Sequence, residues 1–491
     1  MRRTTYEEFV ELARHGTFVP VWKEILADLL TPVSAFLKIA EHADYAFLLE
    51  SVEGGEQVAR YSFLGKDPFL VLRAYRGRTI VERGGETREL DEPFVAALRR
   101  TMAEYRSPVV PDLPRFTGGA VGYFGYDAAP WFEPALSRSW ARYDTAATPA
   151  AEAEAGFMLF DTVLAFDHVK HRILVVANAR ITPDEDLEAL YQFACARIRF
   201  LERELERDLS RATSGGGVTP VFRANTDRPA FGGAVRRAQE HIAAGDVFQV
   251  VLSQRFEAEV DADPLAIYRA LRYVNPSPYM YFIRLGPTAI VGSSPEMLVR
   301  VEGRHVETHP IAGTRPRGRV EEEDLRLGEE LKRDEKERAE HVMLVDLGRN
   351  DLGRVCEYGT VKVPVYMTLE RYSHVMHLVS RVEGRLADGR DRLDALVACF
   401  PAGTVSGAPK IRAMEIIAEI EQAPRGVYCG AIGYIGFNGR TDLNIAIRTA
   451  QFHGGVARVQ GGGGITARSN PAAEYEESLT KIRRIMEAFA P

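Results

Sequence analysis

Val247-Phe-Gln-Val-Val-Leu-Ser-Gln-Arg-Phe-Glu-Ala-Glu259 is the stretch whose reading decides the fold. Phe248, Val250, Leu252, Gln254 and Phe256 alternate with Gln249, Val251, Ser253, Arg255 and Glu257, the two-residue period of a β-strand. The alternation puts Gln249 on the face opposite the main apolar row. Strand-like runs recur at 279–285, 289–292, 297–301, 427–437 and 456–460. Just before the quoted run, Thr226 or Asp227 is positioned to cap a helix with Pro229 in its first turn. That helix carries Phe231, Val235, Ala238 and Ile242 on one side and stops at Gly245. Many strands with helices inserted between them predict an α+β architecture.

Residues 184–209 read as a further helix, with Leu187, Leu190, Tyr191, Ala194, Ile198, Leu201 and Leu205 recurring at steps of three and four. It runs into Ser210-Arg-Ala-Thr-Ser-Gly-Gly-Gly, the composition of a flexible connection. The expected organisation is therefore an N-terminal region 1–209, a linker 210–226 and a C-terminal region 227–491.

With 491 residues, 46% hydrophobic and 27% charged, the chain has material for a sizeable core and the balance of a globular protein. A net charge of -7 removes counterion release from nucleic acid as a source of affinity. Any anionic ligand must be held by local cations. Cys195, Cys356, Cys399 and Cys429 are far apart and form no Cys-x-x-Cys pair, so a zinc site or disulfide framework is not expected and a reducing cytoplasm is. The N-terminus runs from arginines into glutamates instead of an apolar segment, and no run of 18 apolar residues occurs; neither a leader nor a membrane span is expected.

Three segments carry chemistry. Pro310-Ile-Ala-Gly-Thr-Arg-Pro-Arg-Gly318 reads as a tight turn offering free amides and two guanidiniums, a receptor for a small carboxylate. Phe400-Pro-Ala-Gly-Thr-Val-Ser-Gly-Ala-Pro-Lys410 is a second turn rich in glycine and hydroxyls and includes Thr404; Gln460-Gly-Gly-Gly-Gly-Ile465 presents bare backbone after a strand. Beside these stand two carboxylate pairs. Glu337 and Glu340 lie three apart in a charged segment, 330–346, free of proline and interior glycine, so both fall on one helix face. Glu474 and Glu477 repeat the spacing on a helix capped by Asn470 with Pro471 first, and Glu477 lies one turn from Lys481.

These segments, with Arg448 in a strand read over 443–450, resemble the chorismate-binding enzymes, and among them the large subunits of anthranilate synthases, strongly over 231–489 and more loosely over 47–127. The resemblance implies two packed antiparallel sheets with helices outside. It implies Mg2+ held directly by Glu340 and Glu477, with Glu337 and Glu474 in a water-mediated shell, bridging to the ring carboxylate of chorismate. Arg448, Tyr428 and the amides of Gly462, Gly463 and Gly464 match the grip on the enolpyruvyl carboxylate. Gly313 and Thr314 match the ring end, with Thr404 and Gln249 in the same substrate set and Lys481 as a further cation. Glu296, in Gly292-Ser-Ser-Pro-Glu296, matches the acid that protonates the departing 4-hydroxyl, and His377 a residue that guides loss of pyruvate; His374 reads as structural.

Two positions point to one reaction within that family. Gln249 stands where water-using relatives carry a lysine base, and Ala312 where aminodeoxychorismate synthases carry a nucleophilic lysine. The expected attacking group is ammonia, added at C2 and leading to anthranilate. No glutaminase nucleophile elbow is present in the sequence, so a separate glutamine amidotransferase subunit is the expected partner. Leu48-Leu-Glu-Ser51 and Asn275-Pro-Ser-Pro-Tyr-Met280 resemble two halves of a tryptophan feedback site, with Glu50 and Ser51 toward the ammonium, Pro278, Tyr279 and Met280 against the indole, and Arg60 nearby. The competing readings are a folate-pathway aminodeoxychorismate synthase and a catalytically silent tryptophan-binding paralogue.

Overall fold

The computed structural model describes residues 2–51, 60–141, 152–183, 185–209, 219–372 and 375–490. Among these, the strands form two antiparallel sheets of 12 strands each. The first runs Phe18–Leu26, Arg172–Arg180, Thr162–Asp167, Tyr61–Lys66, Tyr45–Glu50, Tyr279–Leu285, Thr288–Ser294, Thr449–His453, Val456–Ile465, Gln249–Glu259 and Arg223–Ala224, with Gly407–Ala408 also on Gln249–Glu259. The second runs Ile311–Pro316, Val375–Arg385, His305–Thr308, Met297–Glu302, Arg440–Ile445, Ala431–Gly436, Gly119–Phe124, Ala155–Phe160, Leu70–Tyr75, Arg78–Arg83 and Glu86–Leu90, with Lys362–Arg371 also on Val375–Arg385. Strands from both ends of the sequence are neighbours. Tyr45–Glu50 pairs with Tyr279–Leu285 in one sheet and Gly119–Phe124 with Ala431–Gly436 in the other.

Trp22, Phe47 and Phe63 of the first sheet pack with Val121, Tyr123, Met158 and Phe160 of the second to form the layer between them. The outer face of the first sheet is covered by Pro32–Ala40, Leu187–Glu206, Pro264–Val274 and Pro471–Glu487, and that of the second by Phe94–Glu104, Glu335–Gly353 and Arg392–Cys399. Strands covered on both faces cannot alternate between apolar and polar, which is why Ala155–Phe160 is buried along its whole length.

The Gln249–Glu259 strand has the expected phase. Val250 and Leu252 pack against Arg228–Ala243 and Lys410–Glu421, and Gln249 lies buried on the other face. Phe248 departs from the expectation: it precedes the strand and is 74% exposed. Asp227 caps the preceding helix by accepting from Ala230 N at 2.8 Å.

Five other segments differ from the sequence reading. The 310–318 segment is not a tight turn: Ile311–Pro316 is a strand whose register slips between Ala312 and Thr314, where Gly313 takes φ +71°. The 330–346 segment is two helices. Asp334 ends the first and caps Glu335–Gly353, its Oδ1 accepting from Lys336 N at 3.0 Å and Glu337 N at 3.1 Å, so a side chain breaks the helix without proline or glycine. Residues 427–430 form a turn before Ala431–Gly436, with Cys429 at φ +66°. Arg448 does not lie in a strand; it sits at φ +51° between Arg440–Ile445 and Thr449–His453, where the chain passes from one sheet to the other. The glycine run, finally, continues the Val456–Ile465 strand, paired with Gln249–Glu259 on one edge.

Candidate active site

The chain crosses between sheets at two adjacent places, and each crossing carries a candidate residue. Glu296 lies between Thr288–Ser294 and Met297–Glu302, and Arg448 between Arg440–Ile445 and Thr449–His453. Backbone bonds lace the crossings together: Ser293 N donates to Arg448 O at 3.1 Å, and Ile445 N to Glu296 O at 3.0 Å. Glu296 is 8% exposed, and burial pushes its pKa up to about 7, against the pull of the nearby Thr404 hydroxyl and the Arg448 guanidinium. Burial also lowers the pKa of Arg448, which the Glu296 charge partly restores. The pair therefore offers a carboxylic acid that is half protonated near neutral pH beside a cation.

His377, on Val375–Arg385, pairs with Thr314 across the sheet. Its Nδ1 lies 2.9 Å from Gly313 O and 3.1 Å from Thr314 Oγ1. A carbonyl only accepts, so Nδ1 carries the proton and Nε2 is left as an acceptor. Burial lowers the His377 pKa and Arg448 lowers it further, keeping the ring neutral. The two guanidiniums of the 310–318 segment are already paired, Arg315 with Asp334 at 2.8 Å and Arg317 with Asp324 at 2.7 Å, so they are not free to bind a carboxylate. His374 lies outside the described residues.

Two of the four glutamates lie against the glycine run, and a third is joined to it through Gln249. A β-carbon on Gly463 would stand 3.2 Å from Glu474 Oε2 and 3.5 Å from Glu477 Oε1. Gln249 Nε2 reaches Glu340 Oε1 at 3.4 Å while occupying the space over Gly464. Glu337 packs against Gly313. Burial followed by the charge of Glu340 raises the Glu337 pKa, and burial followed by Glu477 raises that of Glu474, with Lys336 of the other helix close enough to act on Glu474. Among the described residues, only His305, Glu307 and Glu383, on a different part of the second sheet, bring three such ligand atoms within 4.8 Å of one another. Carboxylates on two helices, Glu337, Glu340 and Glu474 half-buried and Glu477 exposed, suit Mg2+, which takes a few carboxylates and keeps several waters.

Lys481 is committed to its own surroundings, with Nζ 2.8 Å from Glu477 Oε1 and 3.0 Å from Gly462 O. Tyr428 is buried, its ring 5.8 Å from the Arg425 guanidinium carbon.

Away from these residues, Glu50, Ser51, Arg60, Pro278, Tyr279 and Met280 all line one cavity of about 510 Å3 between the sheets, within the range of small-molecule sites. Glu50 Oε2 is already bonded, by Tyr268 at 2.6 Å and Arg272 at 3.0 Å. The Ser51 hydroxyl is buried without a hydrogen-bond partner. Arg60 is held by Asp167 at 3.1 Å. Arg300 and Asp442, joined at 2.9 Å, complete the polar wall and escaped the sequence reading because their pairing spans two strands far apart in the chain. So did Arg425 and the buried Lys410–Asp351 pair.

The model of the chorismate binding enzyme family matches residues 44–487. Anthranilate synthase component 1 of Acetivibrio thermocellus is 47% identical over 496 residues, covering 99% of this chain and 98% of that protein. Its counterpart in Pseudomonas aeruginosa is 46% identical over 493 residues, with 99% and 98% covered. Among solved structures, anthranilate synthase component I from Streptococcus pneumoniae matches with TM-score 0.75 at 38% identity, over 94% of this chain and 99% of that one. The menaquinone-specific isochorismate synthase of Escherichia coli shares the fold, with TM-score 0.71 at 18% identity over 98% and 99%.

Proposed function

From the premise that this chain belongs to the chorismate binding enzyme family and is a chorismate-utilising lyase, we propose that it is the large subunit of an anthranilate synthase. It converts chorismate and ammonia to anthranilate and pyruvate through 2-amino-2-deoxyisochorismate. The observation that carries this reading is the buried Glu296, whose pKa of about 7 keeps a proton available at neutral pH beside Arg448 and Thr404.

Ammonia forms a bond to C2, the ring double bonds shift, and the C4–O bond breaks as Glu296 gives its proton to the departing oxygen, which leaves as water. The new ammonium group loses a proton. The C2–H bond and the C3–O ether bond then break, the ring becomes aromatic, and the proton lost from C2 is balanced by one taken up at the enolpyruvyl methylene carbon, so that the side chain leaves as pyruvate. Arg448 holds the enolpyruvyl carboxylate with Tyr428 and the amides of Gly462, Gly463 and Gly464, while Gly313, Thr314 and neutral His377 orient the ring. When bound by Glu340 and Glu477, with Glu337 and Glu474 beyond, Mg2+ supplies the positive charge that the ring carboxylate needs.

Gln249 offers no base to activate water, and Ala312 no nucleophile. The buried thiol of Cys429, pushed up to about 12, is no glutaminase nucleophile. Ammonia therefore comes from a glutamine amidotransferase subunit in a hetero-oligomer, in keeping with the relatives' designation as component 1. The 510 Å3 cavity takes tryptophan as feedback inhibitor. No helix among the described residues is long and apolar enough to cross a membrane, which accords with a cytoplasmic enzyme.

The test is turnover of chorismate by the purified chain with Mg2+ and ammonium salt, followed by product fluorescence and mass. Anthranilate is expected. Untouched chorismate or a hydroxylated product overturns the reading, and a 4-amino product moves it to the folate pathway.

A further inference from the structure

Arg425 has no side-chain exposure, yet every nitrogen of its guanidinium is used. Nε and Nη2 clasp the two Glu421 oxygens at 2.9 and 2.7 Å. Nη2 also donates to Val251 O at 2.7 Å and Nη1 to Val405 O at 3.0 Å. The guanidinium carbon lies 4.8 Å from the Tyr126 ring centre and 5.8 Å from that of Tyr428. Glu421 extends the network by accepting from Ser253 N at 2.7 Å and Ser253 Oγ at 2.9 Å. The backbone of Arg425 and Gly426 is tied in turn to Asp127, at 3.4 and 2.7 Å.

The three segments joined here are those that carry the proposed substrate contacts. Val251 is two residues from Gln249, Val405 adjoins Thr404, and Tyr428 is itself one of the contacts. A fully buried cation is costly unless completely satisfied, and a simple core ion pair would need only Glu421. The further bonds go to backbone carbonyls on two other elements, which a planar fork with five donors reaches at once and an ammonium does not.

We infer that Arg425 is a positioning residue for the substrate site, fixing Gln249, Thr404 and Tyr428 relative to one another without itself reacting. This rests on the proposed function, since those residues are its substrate contacts. The test is Arg425→Lys, which keeps a charge for Glu421 but gives up the carbonyl bonds, together with Arg425→Met/Glu421→Met, which removes the ion pair altogether. For each, kcat and KM for chorismate are measured per folded molecule, with melting temperature as control and chorismate affinity by calorimetry. In whichever variant folds, kcat/KM is expected to fall about tenfold or more, with weaker chorismate binding. A structural role alone would lower the melting temperature and leave kcat, KM and affinity of the folded fraction within about twofold, which overturns the inference. So does failure of both variants to fold at any temperature where the wild type is active, since Arg425 would then be a determinant of the fold. A wild-type chain that neither binds nor converts chorismate overturns the functional reading and this inference with it.

Discussion

Gln249 fills the space that a side chain at Gly464 would occupy: a β-carbon there would lie 1.8 Å from Gln249 Nε2. The two residues lie diagonally on neighbouring strands, Gly464 being opposite Val251, and the amide so placed donates to Glu340 at 3.4 Å. Gly464 has no left-handed φ, so alanine fits its backbone and acts through this collision alone. Gly464→Ala displaces Gln249 from the carboxylate. Outer-shell partners of metal ligands are worth about 10–100-fold in metal affinity. The half-saturating Mg2+ concentration for turnover is expected to rise by about that factor, with the melting temperature nearly unchanged. An unaltered Mg2+ titration would disprove the coupling.

Glu296 gives a pH dependence of definite sign. With a pKa of about 7 in the ligand-free folded protein, the protonated acid prevails below neutrality and is lost as pH rises, so kcat/KM should fall through the region around pH 7 to 8. Glu296→Gln cannot donate and should lose about 10²–10⁴-fold in kcat. Stability moves in the same direction. A carboxyl with a raised folded pKa contributes most at low pH and loses that contribution as pH climbs through the folded value, here ~3 kcal/mol in all. The melting temperature of Glu296→Gln relative to wild type should therefore rise between pH 5 and pH 9. A flat difference across that interval would place the carboxyl in water.

How much of this could be read from the sequence depends on the range of the forces involved. The Gln249–Glu259 strand and the Pro471–Glu487 helix announce themselves because periodicity and capping are local, and the glutamate pairs follow from helix geometry. Asp334 misled for the opposite reason: its cap forms only because its side chain turns onto Lys336 N and Glu337 N, a choice that a charged, helix-favouring segment does not reveal. Arg448 reads as strand in its neighbours and is made a crossing by two sheets that the sequence cannot position. Arg425 is the extreme case. Its meaning lies in a carbonyl at Val251, 174 residues away.

The interior cavity makes a separable claim. Glu50 Oε2 is held by Tyr268 and Arg272, which fixes the carboxylate at the cavity wall while it lines the space between the sheets. Glu50→Gln keeps the shape and removes the charge that a bound ammonium would meet. Tryptophan inhibition should weaken about tenfold or more, as for loss of a charged hydrogen bond, with uninhibited kcat retained. Inhibition that is unchanged by this substitution would show that tryptophan acts elsewhere.

Lys410 and Asp351 form a pair 2.8 Å apart with each side chain 8% exposed, joining the Glu335–Gly353 helix to the start of Lys410–Glu421. Lys410 also donates to Cys399 O at 3.3 Å. Burial raises the Asp351 pKa and Lys410 holds it down. Removing the lysine alone, in Lys410→Met, strands a buried carboxylate and should destabilise the protein by ~3–5 kcal/mol at pH 8. Without its cation the Asp351 pKa rises further, so the neutral form is the one the fold tolerates. The deficit should accordingly shrink as pH is lowered from 8 toward 5, where the carboxyl takes up a proton. Lys410→Met/Asp351→Asn removes both charges and should recover most of the loss at pH 8. A double variant as unstable as the single one would mean that Lys410 acts through packing and its bond to Cys399, not through Asp351.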